Sequence, residues 1–179
     1  MAIFLMLKKI LDTGMVSEMP VLADLPACHD EQSLQLRICE IFGRAVAIRH
    51  VDTGSCNACE LEINALGGPH YNIEGVGVTF VASPRHADVL LVTGPVTRHM
   101  ESALMAAWEA MPAPKWVVAM GDCTGHDSLY GENYAVRGKL AEMLPVSVVV
   151  TGCPPSPADI LRGILTACRT MPSHEETAD

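Results

Sequence analysis

Four cysteines stand where chemistry is possible: Cys56 and Cys59 in "VDTGSCNACELEI", Cys123 in "AMGDCTGHDS" and Cys153 in "VTGCPPSP". Four thiolates suit either a zinc ion or an iron–sulfur cluster. Structural zinc usually takes two close pairs, each on a short loop or knuckle. One pair and two singles on separate loops fit better the box shape of a four-iron cubane, whose ligands arrive from several directions. The competing reading is four inert core thiols, because free cysteine is among the most buried residue types. Each site is preceded by a glycine, Gly54, Gly121 or Gly152. Glycine lets the backbone turn tightly and brings amide N–H groups near an anionic sulfur centre.

The segments around these cysteines have a rhythm. Apolar, β-branched runs at residues 45–51, 76–82, 89–93, 116–120 and 146–151 alternate with helical patterns at 60–66, 100–111, 134–144 and 157–170. That alternation signals parallel βαβ units. In "VVTGCPPSPADIL" a strand runs through a Gly and Pro turn into a helix, with Ser156 as N-cap and Pro157 as first helical residue. The four cysteines all follow predicted strands. An open α/β sheet delivers the carboxyl ends of its parallel strands to one edge, where ligands bind. Cysteines distant in sequence can therefore meet there.

Composition narrows the class. The chain has 179 residues, enough for one domain with a sizeable core, and its net charge of -9 opposes attraction to nucleic acid or anionic lipid. Seven cysteines, an odd number, with no secretory signal pattern point to a reducing cytoplasm and not to a disulfide scaffold. The apolar opening, Met1 to Leu7, falls short of the roughly 20 residues that span a bilayer. "MAIFLMLKKIL" is expected to be a helix that docks on a partner, lies at a membrane face or covers this domain's own core; residues 15–33 read as an extended loop.

The remaining candidates are weaker. Cys28, Cys39 and Cys168 have no partner at ligand spacing and read as packing residues. His126 reads as a solvated loop histidine, with contact to a cluster sulfur as the alternative, and Arg85 with His86 as loop residues or as part of a partner interface or proton path. Glu60 and Glu62 open a helix, where acids complement the dipole; the sharper reading gives them hydrogen bonds or proton transfer at a subunit contact.

The set "VDTGSCNACELEI", "SPRHADVLLVTGPVT", "GDC" and "TGCPPSPADIL" resembles the small electron-transfer subunit of membrane-bound, energy-converting [NiFe] hydrogenases, including the formate hydrogenlyase type, and the homologous 20 kDa subunit of respiratory complex I. The likeness runs from about residue 45 to 170. It implies that Cys56, Cys59, Cys123 and Cys153 hold one proximal 4Fe-4S cluster and that the chain is inactive alone. It also implies a catalytic large subunit that carries the nickel ligands, a ferredoxin-like subunit and membrane subunits, with this chain peripheral to the inner face of the cell membrane. The complex I relatives carry adjacent cysteines at the first site, so the spaced pair here favours the hydrogenase branch. Two features depart from the pattern. "TGHDSLYGENY" follows Cys123 where the hydrogenase relatives often have a glycine pair, and the chain is short beyond Cys153, as in single-cluster forms.

The expected architecture is a flavodoxin-like α/β domain over residues 45–171, with an open, mainly parallel sheet, helices on both faces and the cluster at the carboxyl edge. Residues 1–44 form an extension that docks on partners, and residues 172–179 a tail.

Overall fold

The computed structural model describes residues 44–124, 130–131 and 133–169. The expectations for the apolar opening, the loop at 15–33, Cys28, Cys39, His126 and the tail lie outside these residues. All described residues belong to one compact unit within Glu31–Asp179.

In chain order the elements are β1 (Val46–Asp52), α1 (Ala58–Leu66), β2 (Val78–Phe80), β3 (Val89–Thr93), β4 (Val96–Thr97), α2 (Arg98–Ala110), β5 (Trp116–Met120), β6 (Val136–Gly138), β7 (Val146–Val150) and α3 (Pro157–Arg169). Single 3₁₀ turns occur at Pro84–His86 and Leu140–Glu142. Five strands form one parallel sheet in the order β2-β1-β3-β5-β7. Counting only its own strands, this is the 2-1-3-4-5 order of flavodoxin-like sheets, whose ligands bind where the order reverses, between the first and third strands.

The sheet is central because its middle strands have no polar face. Every residue of β3, "VLLVT", is buried, as a strand covered on both sides requires. Alternation divides the side chains between two cores. Val89, Leu91, Val118 and Met120 share one with Ile63 and Leu66 of α1 and Ile160 and Ile164 of α3. Leu90, Val92 and Val117 share the other with Leu104 of α2 and Leu140. Each fully buried aliphatic side chain contributes about 1.5–3 kcal/mol, so this layering carries the stability of the unit.

One predicted helix does not form. Residues 134–144 carry the short strand β6 and a 3₁₀ turn. Asn133 Oδ1 accepts the N–H groups of Ala135 (2.8 Å) and Val136 (3.0 Å), which starts the segment as a turn. Gly138 adopts φ +142°, a conformation no helix contains. β6 instead pairs antiparallel with β4, Thr97 opposite Val136.

Candidate metal centre

The first loop begins where β1 ends. Asp52 Oδ1 accepts the N–H groups of Gly54 (2.8 Å) and Ser55 (2.7 Å), bending the chain, while Thr53 Oγ1 donates to Thr93 O at 2.7 Å and ties the bend to β3. Asn57 precedes α1 in the left-handed region, φ 73°. The result leaves Cys56 exposed on the loop and turns Cys59, in the first turn of α1, into the core.

The second and third loops brace each other. Gly121 N–H donates to Val150 O (2.8 Å) and Asp122 N–H to Gly152 O (3.1 Å); in return Asp122 Oδ1 accepts Gly152 N–H at 2.7 Å. Cys123 and Cys153 therefore sit on two loops that these three hydrogen bonds tie together. Beyond Cys153, Ser156 Oγ accepts Asp159 N–H (3.3 Å) and donates to its carboxylate (2.6 Å), capping α3 at the expected residue.

The three loops converge. Burial pushes the Cys59 thiol up to about 12, and Glu60, Cys123, Cys56 and Cys153 all act on it electrostatically in the same direction. Burial also raises Cys123, with Cys153 and Cys56 adding to the effect. Cys59 is thus within electrostatic reach of the other three thiols, and Cys123 of Cys56 and Cys153. Among the described residues, no three Cys, His, Asp or Glu side chains are gathered closely enough for a single metal ion.

Gly54, Gly121 and Gly152 all have positive φ, as turns at these loops demand. Gly121 has a second function: a Cβ there would lie 3.0 Å from Cys59 Sγ, so the missing side chain makes the space that this sulfur occupies. Four thiols on braced loops around that gap fit an iron–sulfur cluster, because thiolate is its ordinary ligand.

Of the other predicted residues, Glu60 points inward and accepts hydrogen bonds from Ser55 Oγ (2.5 Å) and Thr93 Oγ1. Glu62 is half-buried one residue beyond Leu61. Arg85 and His86 are exposed on the turn that enters β3, at the amino end of that strand, whereas the cysteines follow carboxyl ends. Cys168 is buried in the core between α3 and the sheet, as a packing residue should be. Sequence reading did not single out Asp52, His50, Ser55, Thr93 or Asp122, although an Asp two residues before a Gly, as in "DTG", is a recognisable turn signal.

Fold and site together define a flavodoxin-like α/β domain with four convergent thiols beside its topological switch point. The chain belongs to the family described as NADH ubiquinone oxidoreductase, 20 Kd subunit, which it matches over residues 56–167. It is 44% identical over 135 residues to the probable membrane-bound hydrogenase subunit mbhJ of Pyrococcus furiosus, covering 75% of this chain and 81% of that one. It is 39% identical over 145 residues to formate hydrogenlyase subunit 7 of Escherichia coli, covering 80% of this chain but only 57% of that longer protein. A chain in the solved structure of the membrane-bound sulfane sulfur reductase, an archaeal respiratory membrane complex, superposes with a TM-score of 0.65 at 26% identity, covering 82% of this chain and 78% of that one. Among the described residues no helix is long and apolar enough to cross a membrane.

Proposed function

We propose that the chain carries one 4Fe-4S cluster on Cys56, Cys59, Cys123 and Cys153 and passes single electrons between a ferredoxin-like subunit and the catalytic large subunit of a membrane-associated [NiFe] hydrogenase-type complex. The observation that carries this reading is the convergence of the four thiols at the carboxyl edge of the sheet. One close pair and two single thiols on separate loops suit a ligand with four separate irons better than a structural zinc, which usually takes two close pairs. The likeness to hydrogenase and formate hydrogenlyase subunits supports the assignment of the partners.

When bound, the cluster supplies one-electron chemistry at a potential set by its surroundings. The chain's own residues hold and shape the site: the cysteines as thiolates, Gly54, Gly121 and Gly152 as the turns that let the loops close. Glu60 and Glu62 belong to the subunit contact or a proton path near it, and the exposed Arg85 and His86 to a partner surface. The chain is inactive alone, works in the cytoplasm and is held at the inner face of the membrane by the membrane subunits of its complex. The second reading is the equivalent subunit of a complex I-like quinone oxidoreductase, favoured by the description of the family itself.

Anaerobic purification of the chain by itself, with iron, sulfide and zinc assayed, and of the native complex, with nickel assayed, tests both. Four irons and four sulfides per isolated chain, and nickel in the complex, are expected. Zinc in place of iron overturns the cluster, and iron without nickel selects the second reading. The purified chain alone should neither evolve nor take up hydrogen.

A further inference from the structure

We propose that Glu60 is a fixed negative charge that lowers the reduction potential of the cluster on Cys56, Cys59, Cys123 and Cys153, pinned there by Ser55 and Thr93 with His50 behind them. This rests on the cluster reading above and assigns Glu60 a function separate from partner contact.

The geometry leaves Glu60 little freedom. It follows Cys59 directly in the first turn of α1, and its side chain is only 14% exposed. One carboxylate oxygen accepts the Ser55 hydroxyl at 2.5 Å, the other the Thr93 hydroxyl. Both oxygens act as acceptors, the arrangement of an ionised carboxylate. The pins are themselves held. Ser55 N–H is bound by Asp52, and Thr93 is the fully buried last residue of β3. Because Thr93 donates its hydroxyl proton to Glu60, its oxygen is free to accept, which assigns the proton on His50 to Nε2, 3.0 Å away.

Among the described residues no arginine or lysine forms an ion pair with this carboxylate. His50 Nε2 lies 3.6 Å from the same carboxylate oxygen, but burial holds the imidazole below its ordinary value against the opposing pull of Glu60 and Asp52, with Arg49 adding to the depression. At neutral pH the imidazole is therefore a hydrogen-bond donor and not a counter-ion. Glu60 directly follows one proposed ligand, Cys59, and its carboxylate is held by Ser55, the residue before another, Cys56. A negative charge fixed there opposes adding an electron to irons bound by those cysteines. Net charge and hydrogen bonding near the sulfurs are the means by which proteins set cluster potentials.

The experiment is a redox titration of the anaerobically purified complex with dithionite at one neutral pH, followed by electron paramagnetic resonance of the reduced cluster. Glu60→Gln keeps shape and one acceptor but removes the charge. Its midpoint should move to a more positive potential with iron and sulfide content unchanged. Glu62→Gln, two residues along the same helix and half-buried, should move it less. Thr93→Val should also shift the midpoint upward by releasing the carboxylate, and Thr93→Ser should restore the original value. An unshifted Glu60→Gln with an intact cluster overturns the proposal, as does an equal shift in Glu62→Gln. Should Glu60→Gln lose its cluster, the Thr93 pair decides: equal potentials in Val and Ser overturn it, and a shift in Val restored in Ser supports it. A wild-type chain without iron would instead refute the cluster reading itself.

Discussion

A side chain on Gly121 would place its first carbon 3.0 Å from the sulfur of Cys59, so the carboxyl end of β5 and the first turn of α1 share one tight boundary. Gly121→Ala should therefore fail in two ways. A residue with a Cβ at φ +86° costs about 1–2 kcal/mol in backbone strain, and the Cys59 sulfur must move out of its place. Purified Gly121→Ala protein should contain markedly less iron and sulfide than the wild type, and its cluster-free form should unfold at lower denaturant. Wild-type iron content in this variant would show that the boundary has no bearing on the metal.

The cysteines divide into two groups that one set of substitutions separates. Replacing Cys59, Cys123 or Cys153 by Ala removes a thiolate that the cluster needs, so each variant should lose or degrade the cluster. Cys168→Ala should retain it. The buried sulfur of Cys168, 2% exposed, packs with Ile164 and Leu165, and its loss should cost about 1 kcal/mol of stability. Cys28→Ala and Cys39→Ala should leave the cluster intact as well. Iron and sulfide analysis with denaturant melts gives the two readouts independently.

Asp88 explains part of "SPRHADVLLVTGPVT" without any role at the metal. Its carboxylate, buried at the entrance to β3, accepts the Ala47 N–H of β1 at 2.9 Å and two bonds from Arg44, at 2.9 and 2.5 Å. Asp88→Ala strands the Ala47 N–H in a buried position and should cost about 1–3 kcal/mol. Arg44→Ala should cost less than about 1 kcal/mol, because the guanidinium side of the pair is 58% exposed. Equal losses in the two variants, measured by chemical denaturation, would assign the stability to the ion pair instead of the backbone bond.

How much of this was legible in the sequence depended on whether a residue's role is local. The bounds of β3 and β5 match their predicted runs residue for residue, because each is a continuous apolar stretch closed by a turn residue. The four cysteines were legible as a group because parallel strands bring their carboxyl ends together whatever the loops contain. The pairing of β4 with β6 was not, since strands of two and three residues have no period to read and their partner lies far along the chain. Nor was the brace between Asp122 and Gly152, or the bond from Thr93 to Glu60: a polar residue in a loop or at a strand end reads as solvated until its partner is known in space. Gly138 and Asn133, both visible in the sequence, are turn-forming residues that argue against a helix at 134–144.

The cluster-free chain should lose stability at both ends of the pH range, and for different side chains. At the alkaline end, thiols ionise at their ordinary 9.0 once unfolded, whereas the folded domain holds Cys59 and Cys168 up to about 12 by burial, with Glu60 adding at Cys59 and Asp88 at Cys168. Between those values the folded state binds more protons than the unfolded one, so stability is fully present below pH 9.0 and falls as pH rises through that window. At the acid end the sign reverses. Burial lowers His50 from 6.5, so below 6.5 the unfolded state binds the extra proton first; the stability from keeping this ring neutral is present above 6.5 and is lost as pH falls through the folded value. Denaturant midpoints measured across pH should therefore slope down on both sides of neutrality. Cys168→Ala should flatten the alkaline limb and His50→Gln the acid limb, each leaving the opposite limb in place. An alkaline limb unchanged in Cys168→Ala would remove that thiol from the account, and an acid limb unchanged in His50→Gln would show that carboxylates, not the imidazole, govern acid unfolding.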